Sequence, residues 1–509
     1  MGAGRYLAID LGASNGRVLQ GDWNGRQLRL TELHRFSNNP QWILGHLFWD
    51  VLQLMDGIKT GLARSSKLPG SVISMAVDTW GVDFALVDGK GHLLGLPYHY
   101  RDPRTEGILN RVFTKVSSHE IFRRTGNQLM PINTLFQLYW MIEQKDPRLD
   151  CAANLLMMPD LFNRWLSGEA VTEYTIASTT QMTRISTGEW DTELLHKLEI
   201  PTQLLPKIVA PGTSLGRLHL SVSGETGLEE SVKVIAVASH DTASAVAAVP
   251  YLDDRSLYIS SGTWNLVGVE LDGALVDDRV EVANFTNEGG VERKTRFLKN
   301  TTGFWLVQES ARCWDLPAGA EAWRELMDEA ERAPALQSVI DPDDPVFLSP
   351  HNMVEAIREY CRRTDQKVPH ERGEVIRCCL ESMALKTRFL VEEIEKLTGR
   401  RHSTIRIVGG GSLNSLFCSL LADSCRRLVV AGPAEATTLG NILVQAIATG
   451  EIGSIAEGRR VIADSVALSY FEPSPRSEQW EEALLRLRGL MERRKNVEWD
   501  RKNKGREDL

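Results

Sequence analysis

The pattern of apolar and polar residues near the start of the chain predicts two strands joined by a tight turn. An apolar run ends at Asp10, glycines and small residues follow it, and residues 18–23 read as a returning strand. Because no helix follows the glycines and a Lys-Ser/Thr ending is absent, both a dinucleotide-binding fingerprint and a P-loop are excluded. The pattern therefore predicts a hairpin, two strands joined by a glycine-containing turn.

The same pattern returns near the middle of the chain. The segment SLYISSGTWNLVGVEL places an apolar strand before a Ser-Ser-Gly-Thr turn and a second apolar strand after it. After the segment PYHYRDPRTEG, a region that extends to about Leu205 shows mainly helical periodicity, with Gly168 as a helix stop, and is interpreted as an insertion or cap. Two similar hairpins about half a chain apart predict duplicated domains rather than a solenoid of short repeats.

Strands and helices are predicted to alternate along the rest of the chain. The run VKVIAVAS leads into a helix of small residues that ends at Pro250, and the glycine triplet 409–411 joins a strand to a helix. One long helix is predicted over residues 375–397, with a glycine stop directly after it. Beyond about Tyr470 the chain is polar, and residues 493–509 read as a solvated helix or a frayed tail.

Composition narrows the class of protein. A chain of 509 residues with a net charge of −9 and a pI near 5.8 allows about two or three domains and argues against a nucleic-acid-binding surface. No apolar run reaches transmembrane length, and the first residues lack the pattern of a targeting leader. The same acidic balance suits an enzyme of small metabolites. The cysteines form no Cys-x-x-Cys pair, so we expect reduced thiols and a cytoplasmic location. Spacing leaves open whether Cys361 and Cys378 pair.

Both hairpin turns are candidate phosphate-binding sites. Backbone N–H groups in glycine-containing turns form concave nests that hold phosphate oxygens without a lysine. Residues 14–17 would supply donors from the first turn and residues 261–263 from the second. The alternative is two ordinary hairpin turns, although their equivalent placement favours a shared role. Residues 409–411 would let the backbone approach a ligand, or would only make a tight strand-to-helix turn.

Asp10 is a candidate magnesium-associated residue. At the end of its strand it would face the phosphates, and a carboxylate there would repel them unless a divalent cation lies between, directly or through water. Magnesium binds through one or two carboxylates together with substrate phosphates, so one aspartate suffices. The alternative is a turn or capping role, which is common for a solitary acid.

Asp241 is a candidate general base. It comes directly after an apolar strand, and ligands of α/β sheets gather outside the carboxyl ends of strands. There it would accept the proton of an alcohol that attacks the γ-phosphate, while His240 and Thr242 offer donors to sugar hydroxyls. The alternative, which does not exclude the first, is that Asp241 caps the following helix.

The segment DTWGVDF combines groups that suit a sugar. Asp78 and Asp83 could accept from hydroxyls and Trp80 could cover a C–H face, although an indole at a strand end is more often part of the core. The nearby segment YRDPR adds Arg101, Asp102 and Arg104, which are interpreted as part of a surface ion-pair loop.

These motifs, in this order, resemble those of the FGGY family of carbohydrate kinases, and most closely those of its members that phosphorylate L-rhamnulose. The resemblance covers nearly the whole chain and rests on the segments DLGASNGRV, DTWGVDF, LPYHYRD, SHDTASAV, SSGTW, NEGG, LKNTTGFWLVQ, IVGGGSLN and GPAEATTLGN. It implies an α/β fold of two duplicated ribonuclease-H-like domains around a deep cleft, the superfold of actin and the heat-shock-chaperone ATPases. The implied parts are residues 1–244, which bind the sugar, residues 245–470, which bind ATP, and a polar C-terminal helix or tail, residues 471–509.

The resemblance also implies the roles of individual residues. Asp241 matches the proton acceptor, and Asp10 matches the acid associated with Mg²⁺. The implied nucleotide contacts are Ala13, Ser14, Asn15, Gly16, Arg17, Thr263, Gln308 and Gly410. The implied sugar contacts are Gly81, His240, Thr242 and Asn300, to which the cluster in DTWGVDF adds Asp83.

The implied reaction transfers the γ-phosphoryl group of ATP to the C1 hydroxyl of L-rhamnulose and yields L-rhamnulose 1-phosphate. Asn15 stands where a serine is common and Ser412 where a cysteine can occur, so L-fuculose or L-xylulose stays open as the preferred ketose. A non-enzymatic ATP-driven clamp of the same superfold and a silent sugar sensor are weaker alternatives. We expect a monomer or homodimer with no membrane or nucleic-acid partner.

Overall fold

The computed structural model describes residues 4–317, 319–474 and 478–507. Contacts between residues divide the chain into two units. Unit 1 comprises Met1–Leu252, Val269–Lys299 and Glu435–Ala467. Unit 2 comprises Asp253–Gly268, Asn300–Ala434 and Leu468–Leu509. Each unit is therefore assembled from separate stretches of the chain.

The strands are numbered along the chain. They are β1 (Gly4–Leu11), β2 (Asn15–Trp23), β3 (Leu28–Ser37), β4 (Gln41–Ile43), β5 (His46–Phe48), β6 (Val72–Thr79), β7 (Phe84–Val87), β8 (Asn154–Met157), β9 (Thr172–Glu173), β10 (Ile208–Val209), β11 (Thr213–Arg217), β12 (Lys233–Ala236), β13 (Ser256–Ser261), β14 (Trp264–Leu271), β15 (Thr286–Gly289), β16 (Thr295–Thr302), β17 (Thr404–Val408), β18 (Leu428–Ala431) and β19 (Ser469–Phe471).

The helices are numbered in the same way. They are α1 (Val51–Ser66), α2 (Ile108–Phe113), α3 (Ser118–Thr125), α4 (Thr134–Glu143), α5 (Arg148–Cys151), α6 (Met158–Ser167), α7 (Tyr174–Ala177), α8 (Thr192–Lys197), α9 (Leu220–Thr226), α10 (Asp241–Ala247), α11 (Asp278–Ala283), α12 (Trp305–Cys313), α13 (Ala320–Arg332), α14 (Met353–Arg363), α15 (Arg372–Thr398), α16 (Ser415–Cys425), α17 (Ala436–Ala448), α18 (Ile455–Ser465) and α19 (Glu478–Glu507). Short 3-10 helices lie at Pro103–Thr105, Thr202–Leu204, Val291–Arg293, Pro345–Phe347 and Gly410–Leu413.

The main sheet of unit 1 has the strand order β11-β12-β6-β1-β2-β3. The predicted hairpin forms between β1 and β2, with Asp10 opposite Arg17. On its other side β1 runs parallel to β6, and β6 runs parallel to β12. The carboxyl ends of these three strands therefore lie at one edge of the sheet.

A second sheet, of seven strands in the order β15-β16-β14-β13-β17-β18-β19, repeats this arrangement. The second predicted hairpin forms between β13 and β14, and β13, β17 and β18 run parallel to one another. A hairpin continued by two parallel strands thus occurs once in each unit, and the expectation of duplicated α/β domains is confirmed.

The mainly helical region predicted between the segment PYHYRDPRTEG and about Leu205 is also confirmed. Helices α2, α3, α4, α5, α7 and α8 and the antiparallel pair β7–β8 contribute to one buried apolar cluster. Gly168 ends α6 with a positive φ of 88°. Further along the chain, α15 ends at Gly399, which has a φ of 69°. These helix ends follow from the freedom of glycine to adopt the left-handed conformation.

The interpretation of Asp102 and Arg104 as a surface ion-pair loop is wrong. Both side chains are buried and lie 3.4 Å apart, and the guanidinium stacks 4.1 Å from the ring centroid of Tyr98. Asp102 also accepts from the backbone N–H of Leu47 at 2.6 Å. The pair is buried because α4 and the β4–β5 hairpin, which lie far from it in the chain, pack over this loop.

Several other expectations are tested by the described residues. All seven cysteines carry free thiols, including Cys361 and Cys378. On the first turns of α19, Trp480, Leu484 and Leu487 are buried. The solvated helix or frayed tail predicted for residues 493–509 falls mostly on side chains, those of residues 495–509, that lie outside the described residues. Within the described ranges, none of the helices combines the length and apolar character needed to cross a membrane.

Helices α10 and α17 of unit 1 cross unusually closely at Gly440. A Cβ atom at this position would lie 1.8 Å from the backbone oxygen of Ser244, which a side chain cannot avoid by rotating. We therefore expect Gly440→Ala to lower the free energy of unfolding by about 1–3 kcal/mol, as overpacking does in other cores. Urea unfolding measures the change.

The matched control is Gly489→Ala in α19, where the added methyl group would meet nothing within 4 Å. There the higher helix propensity of alanine should leave stability unchanged or raise it by up to about 1 kcal/mol. Equal losses in both variants would show that the close crossing of α10 and α17 does not constrain Gly440.

Candidate active site

Three aspartates gather at one edge of the unit 1 sheet. Asp10 is the penultimate residue of β1 and lies opposite Asp78, the penultimate residue of β6. Asp241 follows β12, the next parallel strand, and begins α10. Ligands of α/β sheets bind outside the carboxyl ends of parallel strands, so the three carboxylates lie where a ligand is expected.

Asp10 is paired with the arginine that faces it across the hairpin. The Nη2 of Arg17 donates to Asp10 Oδ2 at 2.5 Å, and Nη1 donates to the carboxylate of Glu435 at the start of α17. Burial by itself would lower the pKa of Arg17, but the two carboxylates outweigh it and raise this pKa. Arg17 therefore holds two acidic groups together while it stays charged.

Asp78 is a fully buried carboxyl group of which one oxygen accepts a hydrogen bond. The Nδ2 of Asn441 donates to Asp78 Oδ2 at 2.6 Å, whereas Oδ1 has no hydrogen-bond partner among the described residues. Burial, and then the charges of Asp10 and Asp241, raise the pKa of Asp78 well above its ordinary value. This carboxyl group either carries a proton or requires additional positive charge nearby.

Asp241 is the first residue of α10 and not its cap. The cap position belongs to His240, and the side chain of Asp241 accepts from the backbone N–H of Thr242 at 2.5 Å and from its hydroxyl at 3.1 Å. About a third of the Asp241 side chain, 32%, is exposed. Desolvation, and then the charge of Asp10, raise the pKa of Asp241 to about 7. A partly accessible carboxylate with a pKa near neutrality has the properties of a general base.

The ring of His240 lies beside Asp241. Its Nε2 is 3.4 Å from Asp241 Oδ1, and its Nδ1 is 3.1 Å from the Nη2 of Arg296 on β16. Arg296 in turn lies 3.1 Å from Glu288 on β15. Burial, and then the charge of Arg296, lower the pKa of His240 well below its ordinary value, so the ring is neutral.

Two side chains at the start of α7 hold the backbone of this turn: Glu173, the last residue of β9 and the N-cap of α7, and Thr175 within the helix. Glu173 Oε2 accepts from the N–H of Ser239 at 3.0 Å, and Thr175 Oγ1 accepts from the N–H of His240 at 3.2 Å. Glu173 is fully buried, and its burial raises its pKa to about 7. The backbone that carries Asp241 is therefore fixed by side chains from the helical region.

Asp83 is buried in an aromatic cluster of unit 1. Its Oδ2 accepts from the indole N–H groups of Trp49 and Trp80, at 2.6 and 3.0 Å, and from the backbone N–H of Tyr100. Its Oδ1 accepts from Gln137 Nε2 at 3.0 Å. The indoles are themselves buried, which confirms the interpretation of Trp80 as a core residue. Both carboxylate oxygens of Asp83 accept hydrogen bonds from the protein, so Asp83 holds Trp49, Trp80 and Gln137 in place.

The first hairpin turn brings together the residues expected to contact a nucleotide. The N–H of Gly12 donates to the carbonyl of Asn15 at 2.9 Å, and Asn38 Nδ2 donates to the carbonyl of Gly12. A Cβ at Gly16 would lie 2.3 Å from the ring of Phe36, so only glycine allows β2 to pass there. Ala13 and Ser14 lie at the tip, where Ser14 is exposed.

The second set of expected nucleotide contacts lies in unit 2. The Gly262–Thr263 turn joins β13 to β14, and Gly409 and Gly411 follow the neighbouring parallel strand β17. Side chains at Gly409 or Gly411 would meet Ser261 at 2.7 and 2.0 Å, whereas Gly410 faces open space. The glycine triplet thus packs against the hairpin turn and leaves one backbone position accessible.

The remaining expected contacts occupy separate elements. Gln308 lies one turn into α12, and Asn300 lies on the part of β16 that belongs to unit 2. Gly81 and Thr242 belong to unit 1, where a Cβ at Gly81 would meet Thr179 at 3.2 Å. The binding roles of these residues stay predictions.

Sequence reasoning missed the buried partners of the site. Arg296, Glu173 and Asn441 contact the aspartates or the turn that carries Asp241. Arg296 and Glu173 belong to no pattern with a recognised chemistry, and Asn441 ends the segment GPAEATTLGN, which was noted only as part of the resemblance. Glu288 lies in the segment NEGG, which was noted only as part of the resemblance. The available signal was the presence of charged residues inside otherwise apolar strands, where an isolated charge would be costly.

Solved structures share this fold over nearly the full chain. A gluconate kinase from Lactobacillus acidophilus matches with a TM-score of 0.79 at 17% identity, covering 97% of this chain and 98% of that chain. A xylulose kinase from Rhodospirillum rubrum matches with a TM-score of 0.76 at 18% identity, covering 96% and 98%. The fold is therefore that of the two-domain sugar kinases of the actin and Hsp70-like ATPase class.

Comparison of sequences specifies the family. The model of the N-terminal domain of the FGGY family of carbohydrate kinases matches residues 5–248, and that of its C-terminal domain matches residues 257–449. This chain belongs to the FGGY family of carbohydrate kinases and is an enzyme, a sugar kinase. Its relatives include the rhamnulokinase of Bacteroides thetaiotaomicron, which is 41% identical over 486 residues, 96% of this chain and 99% of that relative. The rhamnulokinase of Enterococcus faecalis is 40% identical over 474 residues, 92% and 94% of the two chains.

Proposed function

We propose that this sugar kinase transfers the γ-phosphoryl group of ATP to the C1 hydroxyl of L-rhamnulose, with Asp241 as the general base. The observation that carries the proposal is the position of Asp241: it is partly exposed at the carboxyl ends of β1, β6 and β12, and its pKa is raised to about 7. Relatives named rhamnulokinase, about 40% identical over more than 90% of the chain, support the choice of sugar.

In the proposed mechanism Asp241 accepts the proton of the attacking hydroxyl. One oxygen, Oδ1, is engaged by Thr242 and lies near His240, which leaves the other oxygen to meet the sugar. The alkoxide character that develops on the hydroxyl oxygen directs its in-line attack on the γ-phosphorus, and ADP departs. General-base assistance of this kind contributes about 100- to 10,000-fold to the rate.

We assign the remaining contacts as follows. The backbone and side chains of residues 13–17 in unit 1, and Thr263, Gln308 and Gly410 in unit 2, hold ATP. The accessible backbone at Gly410 and the exposed tip of the first hairpin turn support this assignment. The direct sugar contacts are Gly81, Thr242 and Asn300, and His240 takes part in the sugar site through its contact with Asp241. Asp83 acts as a positioning residue through the groups that it orders.

The aspartates also suit a magnesium ion. Asp78 Oδ1 is buried without a partner among the described residues, and Asp10 lies opposite it, so added positive charge would be stabilised there. In the described part of the chain, the oxygens of Asp10, Asp78 and Asp241 do not all fall within 4.8 Å of one another, so these residues form no closed cage. Magnesium keeps several waters and binds through one or two carboxylates. When bound, the ion would neutralise charge on the transferring phosphoryl group.

A panel of acceptor sugars tests the proposed reaction. Initial rates of ADP formation would be measured with L-rhamnulose, L-fuculose, L-xylulose and D-fructose, and phosphorus NMR would locate the phosphate on the product. We expect the highest kcat/KM for L-rhamnulose and a phosphate on O1. A higher value for another ketose would reassign the substrate within the family, and phosphate on a different oxygen would overturn the proposed chemistry.

The pH dependence follows from the pKa of the base. Asp241 must be deprotonated to accept a proton, so kcat/KM should rise with pH, by about tenfold per unit below an apparent pKa near 7, and then level off. Of the groups that face Asp241, Asp10 and Asp78 favour its protonated form, and Arg296 favours its charged form. A profile that stays flat between about pH 5.5 and 8 would contradict this assignment.

A further inference from the structure

The ring of His240 is contacted on both nitrogens by charged groups. Arg296 Nη2 lies 3.1 Å from Nδ1, and Asp241 Oδ1 lies 3.4 Å from Nε2. Only 9% of the His240 side chain is exposed. The two contacts therefore decide which nitrogen carries the proton of the neutral ring.

The hydrogen-bonding groups of arginine determine which nitrogen of His240 carries the proton. A guanidinium group has N–H donors and no acceptor, so Nδ1 of His240 must accept from Arg296. A neutral imidazole carries one proton, which is then on Nε2, the nitrogen that faces Asp241. Glu288 Oε2 lies 3.5 Å from Nδ1 and would favour a proton there, but its carboxylate is paired with the same guanidinium at 3.1 Å.

Arg296 is held rigidly enough to impose this arrangement. It lies directly across the β15–β16 hairpin from Glu288, and its side chain is 0% exposed. Its Nε donates to the carbonyl of Gly289 at 2.8 Å, and the N–H of Gly289 donates to Ser178 Oγ at 2.7 Å. A side chain at Gly289 would lie 2.5 Å from the ring of Tyr174. The hairpin is thus anchored to the helical region that also supports the backbone of His240.

We propose that the buried Arg296–Glu288 pair is a positioning element that keeps His240 in the Nε2–H form, so that it donates to Asp241 and orients the carboxylate toward the sugar hydroxyl. This inference rests on the proposed role of Asp241 as the base. Arg296 and Glu288 are positioning residues that act through His240.

Replacing the histidine itself tests the proposal without removing the ion pair. In His240→Gln the amide N–H₂ can occupy the place of Nε2 and still donate to Asp241, whereas His240→Asn places its amide near Nδ1 and offers no donor there. We expect kcat to fall by less than about tenfold in His240→Gln and by about 10- to 150-fold in His240→Asn, the cost of one hydrogen bond to a charged group. Equal losses in the two variants would overturn the proposal.

The tautomer can also be measured directly. In the wild-type enzyme labelled with ¹⁵N-histidine, the non-protonated nitrogen of His240 should be assigned to Nδ1, with His240→Gln identifying the signal. Arg296→Lys keeps the charge but cannot bond His240, Glu288 and Gly289 together. We expect it to broaden or shift that signal and to lower kcat more than it raises KM. A proton on Nδ1 in the wild-type enzyme would overturn the inference.

The matched control for the arginine is Arg279→Lys, an exposed residue that pairs with Asp277 at 2.8 Å. It should leave kcat, KM and the His240 signal unchanged. The tautomer readout does not depend on turnover, so it also separates the two proposals. If Asp241→Asn keeps its activity, the proposed role of Asp241 as the base is wrong. If Asp241 is required but His240 carries its proton on Nδ1, only the proposed role of the Arg296–Glu288 pair is wrong.

Discussion

Asp241→Asn is expected to lower kcat by about 100- to 10,000-fold while the enzyme still binds its sugar. The amide has nearly the same size and keeps an acceptor for Thr242, which donates to Oδ1 from its backbone and its hydroxyl. It cannot take a proton at neutral pH, so the loss should appear in the chemical step. Initial rates give kcat, and isothermal titration calorimetry gives the dissociation constant of L-rhamnulose.

Stability provides an internal check on this variant. The charge of Asp10 disfavours the ionised form of Asp241, so removing the second charge should leave the melting temperature unchanged or raise it. The matched control is Asp278→Asn, whose side chain is 87% exposed, and it should keep full activity. Retention of more than about a tenth of kcat in Asp241→Asn would contradict the role of a general base.

Lys386→Met is expected to cost about 3–5 kcal/mol in the free energy of unfolding, because it breaks a buried ion cluster of unit 2. The Nζ of Lys386 is 2.8 Å from Asp341 and 3.0 Å from Asp343, and the lysine is 3% exposed. Arg494 still pairs with Asp341 at 2.7 Å, but Asp343 would lose its cationic partner. Chemical unfolding measures the loss.

The matched control is Lys396→Met on the same helix. That lysine is 62% exposed and pairs with Glu393 at the surface, so its loss should cost less than about 1 kcal/mol. Adding Asp343→Asn to Lys386→Met should recover part of the stability, since the unpaired carboxylate is then gone. Equal costs at both lysines would contradict a cluster held by buried charge.

The difference in stability between the wild type and Lys386→Met should change with pH in one direction. Burial alone would raise the pKa of Asp343, but Lys386 outweighs it and lowers this pKa below its ordinary value of 3.8. A lowered carboxylate pKa contributes stability above the unfolded value, and that contribution is lost as the pH falls through the folded value. The gap between the wild type and Lys386→Met should therefore narrow below about pH 4.

Much of the fold could be predicted because it depends on near neighbours. Both hairpins and the helix stops at Gly168 and Gly399 follow from alternating apolar residues and glycine conformations within short segments. The repeat of the hairpin predicted the duplication, which the two units confirm. Asp10 and Asp241 could be singled out because each follows or ends an apolar strand.

The misinterpretation of Asp102 and Arg104 has a physical cause. The groups that surround Asp102 and Arg104 come from α4 and from the β4–β5 hairpin. Because the neighbouring sequence shows only the charges, it predicted a surface position for a pair that is buried. Asp241 was also a reasonable helix cap by spacing, but the helix begins one residue earlier than a cap at that position requires. The burial of Asp102 and Arg104 therefore does not follow from the neighbouring sequence alone.

The sequence by itself determined the strand–turn–strand pattern, the family and the identity of the candidate base, because these rest on local periodicity and on motifs that the chain carries in order. Only the tertiary structure decided the electrostatics of that base. His240 and Arg296 are 56 positions apart in the chain, and Asp78 and Asn441 are 363 apart, yet each pair is in contact. Burial and charge act through space, so a pKa near 7 at Asp241 arises only when the strands bring distant groups together.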